Sequence, residues 1–262
     1  MPRIVKHRDI RRAEILDQAF TIFLKRGYDN TSLNDVIATA GLSKGMFYHH
    51  FPSKEALLVA LFARVTEGMY EALRPVVEEE GVDPRTRLQN IMNRGAEFRL
   101  ANVELTRSVF GALLRPESNM LYQGVVEAWS ARMRPVVTAV IEDGIAQGVF
   151  DTFNAEGVAD TMLLHAASTR DATWRGMAAK TIDAREAAIA ELSNNLKLHA
   201  LTMSRLLGLP DDAFRIGPPD FARRFIVALN PLDGKAKAAT PKAMGPRKTA
   251  STGKRPSRKT TR

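Results

Sequence analysis

From about Arg8 to Leu229 apolar side chains recur every three or four residues, and no alternating strand pattern persists, so the chain reads as all-α. The first predicted helix carries Leu16, Ala19, Phe20 and Phe23 on one face and ends at Gly27. A second starts at Ser32, carries Leu33, Val36, Ile37 and Ala40, and ends at Gly41. Ser32 followed by Asp35 has the form of a capping box with a shortened acid. A third short helix starts at Ser43 and stops at Phe51-Pro52, because the residue before a proline disfavours the helical conformation. A fourth opens at Ser53, carries Leu58, Leu61, Phe62 and Val65, and ends or kinks near Pro75.

Asp83-Pro84 is a helix start, an N-cap acid followed by proline in the first turn. It predicts a helix to about Leu100 and another through Leu114. A long helix is expected over about 117–146, kinked at Pro135 and closed by Gly148. Two more follow, about 155–177 and 184–207, and a short one, about 220–229, closes the body. In the 184–207 helix, Ile189, Leu192, Leu196, His199, Met203 and Leu206 step by three and four. That seam suits packing against another helix at a shallow angle, and these residues are the expected dimer interface.

Charge divides the chain again. Residues 231–262 hold ten Lys/Arg and one acid, and contain almost nothing to bury. Such a segment cannot offset its ordering entropy and is expected to be disordered, with non-specific DNA contact as its expected use. Residues 1–230 hold 28 bases and 28 acids, so the body is neutral. Within it residues 1–54 carry nine bases against five acids, a basic head on an otherwise acidic body. The chain has no cysteine, which excludes disulfides and thiolate chemistry. The first residues lack the apolar stretch of a signal peptide, and no run approaches a membrane span, so a cytoplasmic, nucleoid-associated protein is expected. No nucleophile motif, phosphate-cradling glycine loop or metal-ligand spacing is found. No enzymatic activity, cofactor or metal is therefore expected. His49-His50 does not change this, since adjacent helical residues point about 100° apart and chelate poorly.

The candidate chemistry lies at residues 31–54. Small Ala38, Ala40 and Gly41 allow a tight turn, and Leu42 plugs it. Ser43 caps the third helix, Lys44 adds a charge, and Gly45 permits close approach of a DNA backbone. Tyr48 and His49 can reach phosphates or base edges, while Phe47 and Phe51, four apart, face inward. Ser53-Lys54 sets another helix start and another lysine beside them.

These residues resemble the N-terminal domain of the TetR (tetracycline-repressor) family of bacterial regulators. The ordered match runs over Ile15-Leu16, Ala19-Phe20, Gly27-Tyr28, Thr31-Ser32-Leu33, Ile37-Ala38, Ala40 through Phe51 and Ser53 through Leu58. Phe47 stands where the family usually has Leu or Ile, and the basic tail is a departure from the family pattern. The resemblance implies an N-terminal three-helix helix-turn-helix DNA-binding domain at 1–69, with the motif at about 32–51. It implies a helical ligand-binding and dimerisation domain at 70–230. Thr31, Ser43, Lys44, Tyr48, His49 and Lys54 would contact DNA, with Ser32 and Gly45 beside them and Met46 at a position that reads bases. An inducer of unknown identity would enter the helical body, with Phe98, Phe110, Trp129, Met133 and His165 as candidate contacts. The implied function is a ligand-responsive repressor that binds a palindromic double-stranded operator as a homodimer through its two long C-terminal helices. The alternative, suggested by the tail, is an architectural nucleoid-type DNA-binding protein.

Overall fold

The computed structural model describes residues 8–79 and 81–232. Apart from Pro231 and Leu232, the basic tail expected to be disordered lies outside the described residues. Twelve α-helices, one π turn and one 3-10 turn make up the described residues, with no strand among them. The helices are α1 (Arg8–Arg26), α2 (Leu33–Thr39), α3 (Lys44–His50), α4 (Lys54–Val77), α5 (Pro84–Ala101) and α6 (Val103–Leu105). The π turn Thr106–Phe110 leads into α7 (Gly111–Leu114), and the 3-10 turn Pro116–Ser118 into α8 (Asn119–Ala146). The rest are α9 (Ala155–Ala167), α10 (Arg170–Ala178), α11 (Ile182–Leu206) and α12 (Phe221–Leu229).

The caps read from sequence at Ser32, Ser43, Ser53 and Asp83 form as expected, each accepting a backbone N–H from the first turn of the helix it opens. Asn154 and Thr181, which the sequence reading did not single out, do the same for α9 and α11. Pro75 and Pro135 both lie inside helices that continue past them, α4 to Val77 and α8 to Ala146. The expected helix over 155–177 is corrected: it is two helices, broken at Ser168-Thr169. The break turns Arg170 inward, where its guanidinium donates to the Asn119 side chain and to the carbonyls of Leu113 and Arg115. A continuous helix would not free those contacts, and no periodicity announces them.

Two hydrophobic cores result. One is built by α1, α2, α3 and the first half of α4, and is completed by Leu105, Val109, Phe110, Leu113 and Val125 from beyond the helix-turn-helix segment. The other gathers α5, α8, α9, α11 and α12, with Leu73 from the second half of α4. Thus α4, about 36 Å long at the standard rise, is common to both. A second junction lies at the π turn. Tyr28 donates its N–H to the Ser108 carbonyl at 3.0 Å, and the Phe62 and Phe110 rings meet edge to face at 4.7 Å. Arg115 pairs with Asp29 across the same junction.

Candidate DNA interface and effector cavity

The turn between α2 and α3 is set by Gly41, whose φ of +63° favours glycine. Its N–H donates to the Ala38 carbonyl, and that of Leu42 donates to the Ile37 carbonyl at 3.2 Å, closing the end of α2. The start of α2 is closed by the full capping box. Ser32 Oγ accepts from Asp35 N–H at 3.2 Å, and Asp35 accepts from Ser32 N–H at 2.8 Å. The Ser32 hydroxyl and backbone hydrogen bonds hold the Asp35 carboxyl below the usual range.

On α3, Phe47 and the C-cap Phe51 are fully buried, with rings 6.1 Å apart. Their burial turns Ser43, Lys44, Gly45, Met46, Tyr48 and His49 outward, and all six are exposed. A Cβ at Gly45 would meet nothing within 4 Å, so the protein's own packing does not demand glycine there. The space is open to another molecule. Ser43 Oγ accepts the Met46 N–H at 3.3 Å. Lys54 is half-buried, its ammonium 4.0 Å from the centre of the Tyr28 ring, and desolvation lowers its pKa. Burial pushes the Tyr28 phenol up to about 12.

One expected contact is corrected. Thr31 is 1% exposed, and its hydroxyl donates to the Gly27 carbonyl at 2.9 Å. That group ties the end of α1 to the start of α2 and has no face to offer DNA. Ser32 is exposed, but its hydroxyl also donates to Asp35, at 2.6 Å. Among the described residues no group of three or more His, Asp or Glu could hold a metal ion.

The second core contains a cavity of about 120 Å³. Met69 and Leu73 from α4, Met92, Gly95 and Arg99 from α5, and Trp129 and Met133 from α8 line one side. Met162, Leu196, His199 and Met203 line the other. Of the candidate effector contacts, Trp129 and Met133 line this cavity and the other three do not. Phe98 and Phe110 pack into the N-terminal core instead, Phe110 on Phe62. His165 stacks at 4.8 Å on His199, which does line the cavity.

The dimer seam is corrected as well. Ile189, Leu192, Leu196, His199 and Met203 are all buried within the single chain, and the last three line the cavity. The seam packs α11 against helices of its own chain. A three-four stepping shows that a helix buries that stripe, and both partners produce the same pattern.

Arg99 is the cavity group that sequence reasoning missed. A signal was present: no acid stands three or four residues away from it, whereas Arg94 on the same helix pairs with Glu97.

An exposed recognition-type helix on a small aromatic core, joined by one shared helix to a larger helical body with an internal cavity, defines a two-part helix-turn-helix protein. Residues 15–61 match the family described as bacterial regulatory proteins, tetR family. The chain is 33% identical over 87 residues to the HTH-type transcriptional repressor KstR2 of Rhodococcus jostii (strain RHA1), covering 33% of this chain and 42% of that protein. It is 29% identical over 161 residues to the HTH-type transcriptional regulator EthR of Mycolicibacterium smegmatis, covering 60% and 71%. The crystal structure of a TetR-family transcriptional regulator from Pectobacterium atrosepticum shares the fold, with a TM-score of 0.55 at 21% identity over 78% of this chain and 100% of that one. Residues 15–61 thus match the tetR family, and the described chain shares the fold of a TetR-family regulator. The matched part spans less than half the length of KstR2.

Proposed function

We propose that the chain is a sequence-specific DNA-binding transcriptional regulator, a repressor released from its operator by a small molecule. The observation that carries this reading is the outward set Ser43, Lys44, Gly45, Met46, Tyr48 and His49 over buried Phe47 and Phe51. Hydroxyl, ammonium and imidazole groups there meet phosphates and base edges, and Met46 supplies an apolar contact. The repressor names of KstR2 and of DhaR from Mycobacterium sp. (strain GP1) support it. No helix among the described residues is long and apolar enough to cross a membrane.

Release follows from the shared helix. Met69 and Leu73 line the cavity, while Leu57, Leu58 and Leu61 of the same helix lie in the core beneath α3. A molecule that binds the cavity more tightly in one setting of α4 shifts the recognition helix with it; only that difference in affinity drives release. The operator reading also requires a dimer with recognition helices about 34 Å apart. With the seam buried, the outward apolar residues Leu164 on α9 and Leu198 on α11 become the dimer candidates, Leu198 being 53% exposed.

DNase I footprinting on the DNA upstream of this gene tests the function. Discrete protected palindromes are expected. Uniform coating would favour the architectural reading instead. For assembly, Leu198→Glu should give folded monomers by light scattering, and an unchanged mass would remove Leu198 from the interface.

A further inference from the structure

The cavity is lined mostly by methionine, leucine, isoleucine and valine, with Trp129, Thr169, Arg99 and His199 among them, and no acidic side chain lines it. Two of its groups are left without the partners they need. Arg99 donates from Nε to the Gly95 carbonyl at 3.4 Å, and its guanidinium lies 5.3 Å from the centre of the Phe221 ring. Among the described residues it has no carboxylate partner, although Arg94 and Arg107 nearby in the chain each have one. Burial lowers its pKa, the direction expected of a cation held away from water. His199 is the second group. It is 7% exposed, and its Nε2 has no hydrogen-bond partner. The ring's other hydrogen bond runs to the Met162 backbone, so Nε2 is left as an acceptor.

A guanidinium with no acid beside it asks for a planar anion, and an imidazole nitrogen without a partner asks for a donor. The surrounding methionines ask for apolar surface and can move to admit it. We propose that the cavity takes a small apolar carboxylic acid that carries a hydroxyl, its carboxylate on the Arg99 guanidinium and its hydroxyl donating to His199 Nε2. The volume sets the scale. An engineered cavity of about 150 Å³ takes one benzene ring, so about 120 Å³ with mobile methionines suits a molecule of one-ring size. This inference rests on the reading of the cavity as the effector site.

Calorimetric titration of the full chain with 3-hydroxybenzoate, 4-hydroxybenzoate, benzoate and benzyl alcohol tests it. At least one hydroxybenzoate should bind most tightly, benzoate less so, and the neutral benzyl alcohol at least tenfold more weakly than benzoate. Arg99→Met should erase the difference between benzoate and benzyl alcohol. It should also leave the ligand-free melting temperature unchanged or higher, because it removes a half-buried charge that has no acidic partner. Arg99→Lys should keep a reduced preference for benzoate. His199→Phe should make the hydroxybenzoates equal to benzoate. The proposal is overturned if benzyl alcohol equals benzoate in the unaltered protein. It is equally overturned if Arg99→Met lowers the melting temperature and leaves the ranking intact, or if none of the four compounds binds. In the first two cases a ring still occupies the cavity and the effector reading stands. Operator footprinting, which uses none of these compounds, judges the regulator reading separately.

Discussion

The two cores treat their polar groups in opposite ways. Around the N-terminal core, Thr31, Ser32, Asp35, Ser43 and Ser53 all close onto nearby backbone, and the aromatic centre of Phe23, Phe47 and Phe51 is fully buried. In the C-terminal core, Arg99 lacks an acid, and Ser130 Oγ and His199 Nε2 are buried without a partner. A surface meant to be read can rest on a core whose helix caps are closed, because recognition happens outside it. A core meant to admit a molecule has to keep some demands unmet until that molecule arrives.

The contrast can be broken most forcefully at Phe47. Phe47→Ala should cost about 3–5 kcal/mol of stability and abolish DNA binding together with it, as read by denaturant unfolding and gel shift. If binding is lost without loss of stability, α3 is not held in place by that core.

Acid should act on the other core. The His199 imidazole, buried beside His165 and Arg99, is held down to about 4 from its ordinary 6.5. The unfolded chain therefore takes up this proton first as pH falls. The stability tied to a neutral His199 is complete above pH 6.5, is lost between 6.5 and 4, and amounts to at most about 3 kcal/mol. Urea unfolding from pH 7 to 4 checks this, with His199→Phe expected to flatten that part of the profile.

Substitutions on the exposed face of α3 should separate binding from stability. Lys44→Ala and Tyr48→Ala should each weaken operator binding by about 1–3 kcal/mol, while stability stays within about 0.5 kcal/mol. Equal losses in both would mean that these side chains support the fold. The smallest expected effect is at Thr31. Thr31→Val should cost about 1 kcal/mol of stability by leaving the Gly27 carbonyl without its donor. Operator affinity per folded molecule should not change, and a direct loss of affinity would return Thr31 to the interface.

Much of the N-terminal unit was legible because its signals are local. Caps, the glycine at positive φ and the Phe47–Phe51 spacing each act within four residues of themselves, so neighbours in sequence suffice to read them. Thr31 was misread for the complementary reason: its hydroxyl is taken by Gly27, a contact that a motif match does not display. In the body, helix existence was legible and helix partners were not. The stripe announced burial correctly from Ile189 to Met203 and failed at Leu206, which is exposed; whether a second chain or α11's own chain covers it is a question of topology. The same limit misassigned Phe98 and Phe110, which return to the N-terminal core through the π turn.

Sequence alone settled the all-α class, the caps and turn of the helix-turn-helix, and which face of α3 is apolar, because hydrogen-bond closure and amphipathic spacing are short-range. Tertiary structure alone decided that α4 serves both cores, that Leu196, His199 and Met203 of the supposed dimer stripe line a cavity, and that Arg99 stands there without an acid and His199 Nε2 without a partner. Those outcomes depend on residues far apart in the chain, whose meeting is set by how whole helices pack.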